Sequence, residues 1–268
     1  MSIEIRKLRE AEFHDHLRHE MPFQRYSVQV EDQARHNEQW ANFKYYSIEE
    51  ASRAYVDEWI QARCRDKRIL DYGCGNGDDS IFAAKHGAEV VGIDISEVSI
   101  EHCKRKAIEA GVSDRTHFVV MDAESLRFED DSFDLIVEYG VLHHLEFSSA
   151  MSEISRVLKP TGEVICTEAL GHNPFINAYR NRTPKLRTSW EVDHILRRQD
   201  ILKANLWFKG VDARFFHLAT LAAVPFRRTK IFRPLLNRLS AMDSVLLRLP
   251  FLKWHAWQVV LHLSNPRK

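Results

Sequence analysis

Residues 68–87 read RILDYGCGNGDDSIFAAKHG, and this stretch decides the fold. The apolar pair Ile69-Leu70 runs into an acid, Asp71. Glycines follow at Gly73, Gly75 and Gly77, and a helix-forming segment begins at Asp79 and closes on Gly87. Strand, glycine turn and helix is the arrangement by which a βαβ fold lets its backbone approach a bound nucleotide. Which nucleotide it is depends on the residues around the turn.

Outward from it, short apolar runs alternate with helical patterns, the signature of a parallel sheet covered by helices. Strands are predicted over 69–72, 89–93, 116–121, 133–137 and 163–167. The helix after the second strand has Ser96 as its N-cap, Ile100, Cys103, Ala107 and Ala110 at 3–4 spacing, and Gly111 as its stop. Another helix is predicted over 148–158, followed by a turn at 159–162. Four consecutive strands end on or just before an acid: Asp71, Asp94, Asp122 and Glu138. Ligands of open α/β sheets bind at that edge. Turn chemistry alone explains one such acid more easily than four. The set suits a ligand rich in hydroxyls and amines and carrying positive charge. A dinucleotide fold would show G-x-G-x-x-G with open helix amides for the pyrophosphate. Here G-C-G-N-G is followed by Asp78 and Asp79, whose carboxylates would repel a pyrophosphate and attract a sulfonium or an amino group.

The pattern D-x-G-C-G-x-G, the acids ending the second and third strands and F-D-L-I-V in the fourth resemble the class I S-adenosylmethionine-dependent methyltransferases, seven-stranded and Rossmann-like. The resemblance is close over about 45–170 and extends to the flanks only in layout. It implies a doubly wound, mostly parallel sheet that binds S-adenosylmethionine and releases S-adenosylhomocysteine. By this resemblance Gly73, Gly75 and Gly77 pass along the methionine moiety, and Asp71 orients the turn or the donor's amino group. Asp94 takes the ribose hydroxyls, Ile95 packs on the adenine, and Asp122 with the Ala123 amide reads the adenine edge. Glu138 borders the methionine end. The run Val141-Leu142-His143-His144-Leu145 resembles the members that methylate small molecules, quinone and sterol precursors among them. His143 and His144 are then the candidate catalytic residues, one as general base near neutral pH, with a structural loop hydrogen bond as the other reading of His143. Base-modifying DNA enzymes of the superfamily carry an Asn/Asp-Pro-Pro-Tyr-like motif after the fourth strand, which this chain lacks. Asn173-Pro174-Phe175 follows the fifth strand instead and reads as a turn.

The flanks divide the chain into a helical N-terminal lid over 1–66, the α/β core over 67–170 and a C-terminal part over 171–268. In the first, Leu8, Phe13 and Leu17 recur at helical spacing up to a break at Met21-Pro22. Ile48, Ala51, Tyr55, Val56, Trp59 and Ile60 line one face of a stronger helix, with Ser47 and Glu50 as a capping box. Trp40, Phe43, Tyr45 and Tyr46 are core or pocket cover. His14, His16 and His19 have no i,i+4 His pair or neighbouring Cys, so no metal site is predicted. In the last part, loop residues Arg180, Arg182, Lys185 and Arg187 precede one helix, capped by Ser189 or Thr188. Strands at 213–219 and 257–263 complete the sheet. Between them an insertion at about 221–253 carries seven Lys and Arg against one Asp, 7 − 1 = +6, interleaved with Phe and Leu. It is either an amphipathic contact for a membrane, a lipid-linked or anionic acceptor or a partner subunit, or a helical pair packed on the domain.

At 268 residues the chain can bury a large single core. Its 38 basic and 38 acidic residues balance to zero formal charge, so no nucleic-acid partner is expected. Cys64, Cys74, Cys103 and Cys166 have no framework spacing and read as free thiols of a reducing cytosol. The opening MSIEIRKLREAEF lacks the apolar core of a signal peptide, and no apolar run of about 18 residues occurs. The expectation is a cytoplasmic enzyme, with peripheral membrane contact left to the insertion. It would move a methyl group to an O, N or C nucleophile of a small acceptor, lipid- or glycan-linked acceptors included. The alternatives are a nucleic-acid methyltransferase, an NAD-dependent oxidoreductase and a non-catalytic S-adenosylmethionine-binding module. Oligomeric state is not legible.

Overall fold

The structure is a computed structural model that describes residues 3–20 and 42–268. In chain order its elements begin with helices α1 (Ile3–Glu20), α2 (Phe43–Tyr46) and α3 (Glu50–Arg63). The core continues as β1 (Arg68–Tyr72), α4 (Asp78–Lys85), β2 (Glu89–Asp94), α5 (Glu97–Glu109), β3 (Thr116–Val120) and β4 (Phe133–Tyr139). A 3-10 turn at Leu142–His144 leads into α6 (Phe147–Val157) and β5 (Leu158–Ala169). The last part comprises α7 (Pro174–Arg182), α8 (Ser189–His194), α9 (Arg198–Lys203), β6 (Phe208–Phe216), a 3-10 segment at Ala219–Phe226, α10 (Phe232–Leu246) and β7 (Gln258–Pro266).

Among the described residues the strands form one seven-stranded sheet in the order β3-β2-β1-β4-β5-β7-β6. Pairing is parallel from β3 to β5, while β7 runs antiparallel to both β5 and β6. The strand order reverses between β1 and β4, and such a switch point opens a crevice at the carboxyl ends of the strands. β1 and β4 read as apolar runs because both faces are covered. One layer packs around Tyr72, Ile136, Met151, Ile154 and Val259, and the other around Val56, Ile60, Ile69, Ile100 and Val260. A third, smaller cluster joins Ile48, Ile176, Ala223, Phe232, Leu236 and Trp257 beneath the C-terminal insertion.

Several expectations are corrected. β4 continues to Tyr139, so Glu138 lies inside the strand. β5 starts at Leu158 and absorbs the predicted turn 159–162 as an irregularity between Leu158 and Glu163 opposite β4. β6 starts at Phe208; its edge position leaves Lys209 and Asp212 to Arg214 exposed, which hid the alternation. The Ser47–Glu50 capping box does not form. Ser47 and Glu49 already have helical backbone, whereas an N-cap is extended, and Ser47 Oγ donates to the Lys44 carbonyl. Ser52, not Ala51, completes the buried face of α3. Asn173 is no turn residue but the N-cap of α7, accepting from Phe175 and Ile176 amides, so Arg180 and Arg182 are helical. The single helix expected after residue 188 is two, α8 capped by Thr188 and α9, at whose start the Arg197 amide donates to Asp200. The expected break at Met21-Pro22 lies outside the described residues; in α1 Leu8 is exposed, and Arg6 and Glu10 are buried among the described side chains. Trp40 lies outside the described residues.

Candidate active site

A cavity of about 960 Å³ opens at the carboxyl edge of the sheet, roofed by α1, α2, α3 and the start of α10. That is the upper end of the usual ligand-pocket range, ~300–1,000 Å³, with room for a donor and an acceptor together. Residues at or just past the end of each parallel strand build its floor: Gly73–Asn76 after β1, Asp94 and Ile95 at β2, Asp122 and Ala123 after β3, Tyr139–Val141 at β4, and Glu168 on β5.

The glycine turn has a steric reason. Gly73 and Gly77 both adopt left-handed backbone, φ +77° and +71°. A Cβ there would lie 2.3 Å from the Val141 side chain or 2.9 Å from Cys103 Sγ. Gly73 and Gly75 line the cavity, whereas Gly77 is turned to Cys103 and shapes the turn from behind. Asp71 is buried; its Oδ2 accepts from Ser80 N at 3.1 Å and Ser80 Oγ at 2.5 Å, tying β1 to the first turn of α4. Burial, then the neighbouring Asp79, push this carboxyl up to about 7. Asp94 accepts one backbone N–H on each oxygen, Gly75 on Oδ2 and Ser96 on Oδ1, both at 2.9 Å. Two amides thus fix the carboxylate on the cavity rim, beside Ile95. Asp122 accepts from Glu124 N at 2.9 Å and from the Lys7 ammonium at 2.5 Å. Ala123, buried, accepts from the Tyr72 hydroxyl at 2.6 Å.

Asp78 and Asp79 do not act as predicted. Lys106 pairs with Asp78 at 2.6 Å, and the Arg53 guanidinium pairs with Asp79. With both charges matched by cations on α5 and α3, repulsion of a pyrophosphate loses most of its force. Support for a sulfonium donor then comes from the glycine turn and the strand-end acids.

At the other end of the cavity, β4 delivers the 3-10 turn with His143 and His144. His143 Nδ1 lies 2.6 Å from Glu168 Oε2, and Glu168 Oε1 accepts from Leu142 N at 2.6 Å. Glu138 accepts from the Val141 and Leu142 amides and does not line the cavity, so it supports the turn from below. Burial, and then the Glu168 charge, push Glu138 well above the usual carboxylate range. Burial also opposes ionisation of Glu168, but the His143 charge and the Glu138 proton override it and hold Glu168 below its ordinary value. Burial disfavours a charged His143, yet Glu168 wins there too and keeps the imidazole above 6.5. The trio is a neutral acid, a carboxylate and an imidazole in series. His144 Nδ1 lies 3.0 Å from Glu10 Oε2 on α1.

Glu168, Glu10, Glu49 and Tyr139 went unremarked in the sequence. Glu168 repeats the strand-end acid pattern on a fifth strand and was findable by extending that rule. Glu49 accepts from Gln258 at 2.5 Å and from the Tyr139 hydroxyl. Burial pushes it up to about 7 against those bonds and Arg53. Nothing local in the sequence marks Glu49 or Glu10, because their partners lie on distant elements.

Residues 69–162 match a family model described as a methyltransferase domain. The ubiquinone/menaquinone biosynthesis C-methyltransferase UbiE of Rickettsia massiliae is 36% identical over 124 residues, 43% of this chain and 50% of that one. The 27-O-demethylrifamycin SV methyltransferase of Amycolatopsis mediterranei is 36% identical over 123 residues, 44% and 45% of the two chains. The chain thus spans about half the length of the curated relatives it matches. Among solved structures, the geranyl diphosphate C-methyltransferase of Streptomyces coelicolor, in complex with Mg2+, geranyl diphosphate and S-adenosyl-L-homocysteine, superposes with TM-score 0.56. It does so at 14% identity over 84% of both chains, a likeness of fold. The sheet order and the switch-point cavity define a Rossmann-like α/β fold, and within it residues 69–162 match the methyltransferase-domain model.

Proposed function

We propose that the chain transfers a methyl group from S-adenosylmethionine to a small-molecule acceptor whose nucleophile gives up a proton, a hydroxyl or an acidic carbon. The observation that carries this reading is the Glu168–His143 pair, backed by buried Glu138, which faces the same cavity as Asp94 and the glycine turn. The residues fit the donor: the turn at Gly73 and Gly75 has no Cβ to obstruct it. The Asp94 carboxylate, fixed by two amides, would take the ribose hydroxyls, and Ile95, Asp122 and Ala123, which line the same cavity, would border the adenine. When bound, the donor supplies a methyl group on a sulfonium.

The protein's own part is alignment, water exclusion and proton removal. With Nδ1–H donating to Glu168, His143 presents Nε2 as the base, and the acceptor's proton passes to that nitrogen. Glu168 acts through His143, as a positioning residue that also stabilises the imidazolium. Tyr139, backed by Glu49, shapes the cavity wall beside Gly140.

Membrane or lipid-linked acceptors are the finer part of the proposal. On α10, Phe232 and Leu236 face inward, and Phe232 and Arg233 border the cavity. Val245 on the outer side is 62% exposed, and Phe251 just beyond it 83%. The insertion's one acid, Asp243, is buried, accepting from the Leu218, Ala219 and Thr220 amides, so the surface it leaves is basic and apolar. No helix among the described residues is long and apolar enough to cross a membrane, so such contact would be interfacial.

An acceptor screen reading release of S-adenosylhomocysteine tests the reading. Hydroxylated, prenylated aromatics are expected to give turnover that is lost in His143→Ala. Turnover surviving that substitution would overturn the base assignment, and donor binding without turnover on any acceptor would favour a non-catalytic module.

A further inference from the structure

We propose that Glu10, His14 and His144 form a site for one divalent cation of the zinc or cobalt class, clasping α1 to the turn after β4. Glu10 and His14 stand one helical turn apart, so their side chains share a face. The fold brings His144 against that face. Glu10 Oε2 lies 3.0 Å from His144 Nδ1 and 3.8 Å from His14 Nε2, and the three donor atoms all fall within 4.8 Å of one another. The two imidazoles meet edge-on, centroids 4.9 Å apart. Glu10 is buried, and all three residues line the cavity.

The donor set selects the ion. Two imidazoles and a carboxylate suit zinc, cobalt, nickel or ferrous iron, whereas magnesium and calcium take oxygen ligands. Bonds of about 2.0–2.2 Å in a tetrahedral site separate ligand atoms by roughly 3.3 Å. The Glu10–His144 pair already lies near that spacing, and His14 needs only a modest inward swing. Three protein ligands leave a fourth position on the cavity side. A bound ion there would polarise an acceptor oxygen and ease loss of its proton to His143, while His144, ligating through Nδ1, would serve as ligand and not as base. The site was unreadable from His14, His16 and His19 because only one of those histidines takes part, with partners from two elements.

The test needs neither donor nor acceptor, so its failure leaves the methyl-transfer reading standing. Metal-stripped protein is titrated with Co2+ and followed by its visible absorption, with Zn2+ competition by calorimetry. One equivalent is expected to bind with a nitrogen–oxygen spectrum, weakened at least tenfold in both His14→Ala and Glu10→Gln. The neighbouring variant His16→Ala is expected to match the unaltered protein, and circular dichroism verifies that each variant is folded. No saturable one-equivalent binding, a thiolate charge-transfer band, or affinity unchanged in His14→Ala would overturn the site.

Discussion

His143 and Glu168 carry opposite shifts for one reason, their proximity in a buried place, and this fixes how the pair responds to pH. Glu168 lies below its ordinary 4.5 and stabilises the fold above that value, an effect lost as pH falls through the folded pKa. His143 lies above its ordinary 6.5 and stabilises the fold below that value, an effect lost as pH rises through the folded pKa. The pair's contribution is therefore whole between about 4.5 and 6.5. If His143 is the base as proposed, activity has the other sense, because a base must be neutral to accept a proton, and the rate is expected to climb along an acid limb above 6.5. Glu168→Gln removes the charge that raises the imidazole. The acid limb of kcat is predicted to move to lower pH while the plateau drops by about tenfold to a thousandfold. A limb that stays in place would show that Glu168 does not act through His143.

At the scale of elements, the parallel strands were readable from their apolar runs, and α5 from its Ser96 cap, because burial on both faces and a local cap leave local signals. α1 was readable only as a helix. It docks by ionic contacts, Arg6 to Glu124 and Lys7 to Asp122, and no period of apolar residues announces such a face. The charges at Asp78 and Asp79 were visible, but Lys106 and Arg53 that match them sit on other helices, so their meaning was not. The basic insertion was visible as composition, and the structure adds which side is covered. Phe232 and Leu236 point inward, while Val245 and Phe251 face out. Vesicle co-sedimentation tests that division. Binding is predicted to vesicles containing anionic phosphatidylglycerol, to weaken with added salt, and to fall at least tenfold in Val245→Asp/Phe251→Asp. Each apolar side chain kept out of the interface forfeits up to ~1.5–3 kcal/mol. Equal binding to neutral phosphatidylcholine vesicles, or none to either, would remove the membrane from the account.

Over the whole molecule, the seven-stranded, mostly parallel sheet matches the layout that the family resemblance implied, with β7 as its antiparallel strand. The half of the cavity proposed for the donor was legible because its residues lie just past consecutive strands at short range. The half proposed for the acceptor was not, because Glu10, Glu49, Glu168, Tyr139 and Phe232 come from elements joined only by folding. Donor binding stands on Asp94, the carboxylate that two backbone amides hold at the edge of that cavity. Calorimetric titration with S-adenosylhomocysteine, run beside NAD, measures it most directly. One equivalent of S-adenosylhomocysteine should bind more tightly than NAD, and Asp94→Ala should weaken it at least tenfold, as expected on losing a charged hydrogen-bond acceptor. Tighter binding of NAD, or an affinity for S-adenosylhomocysteine that Asp94→Ala leaves unchanged, would contradict the account.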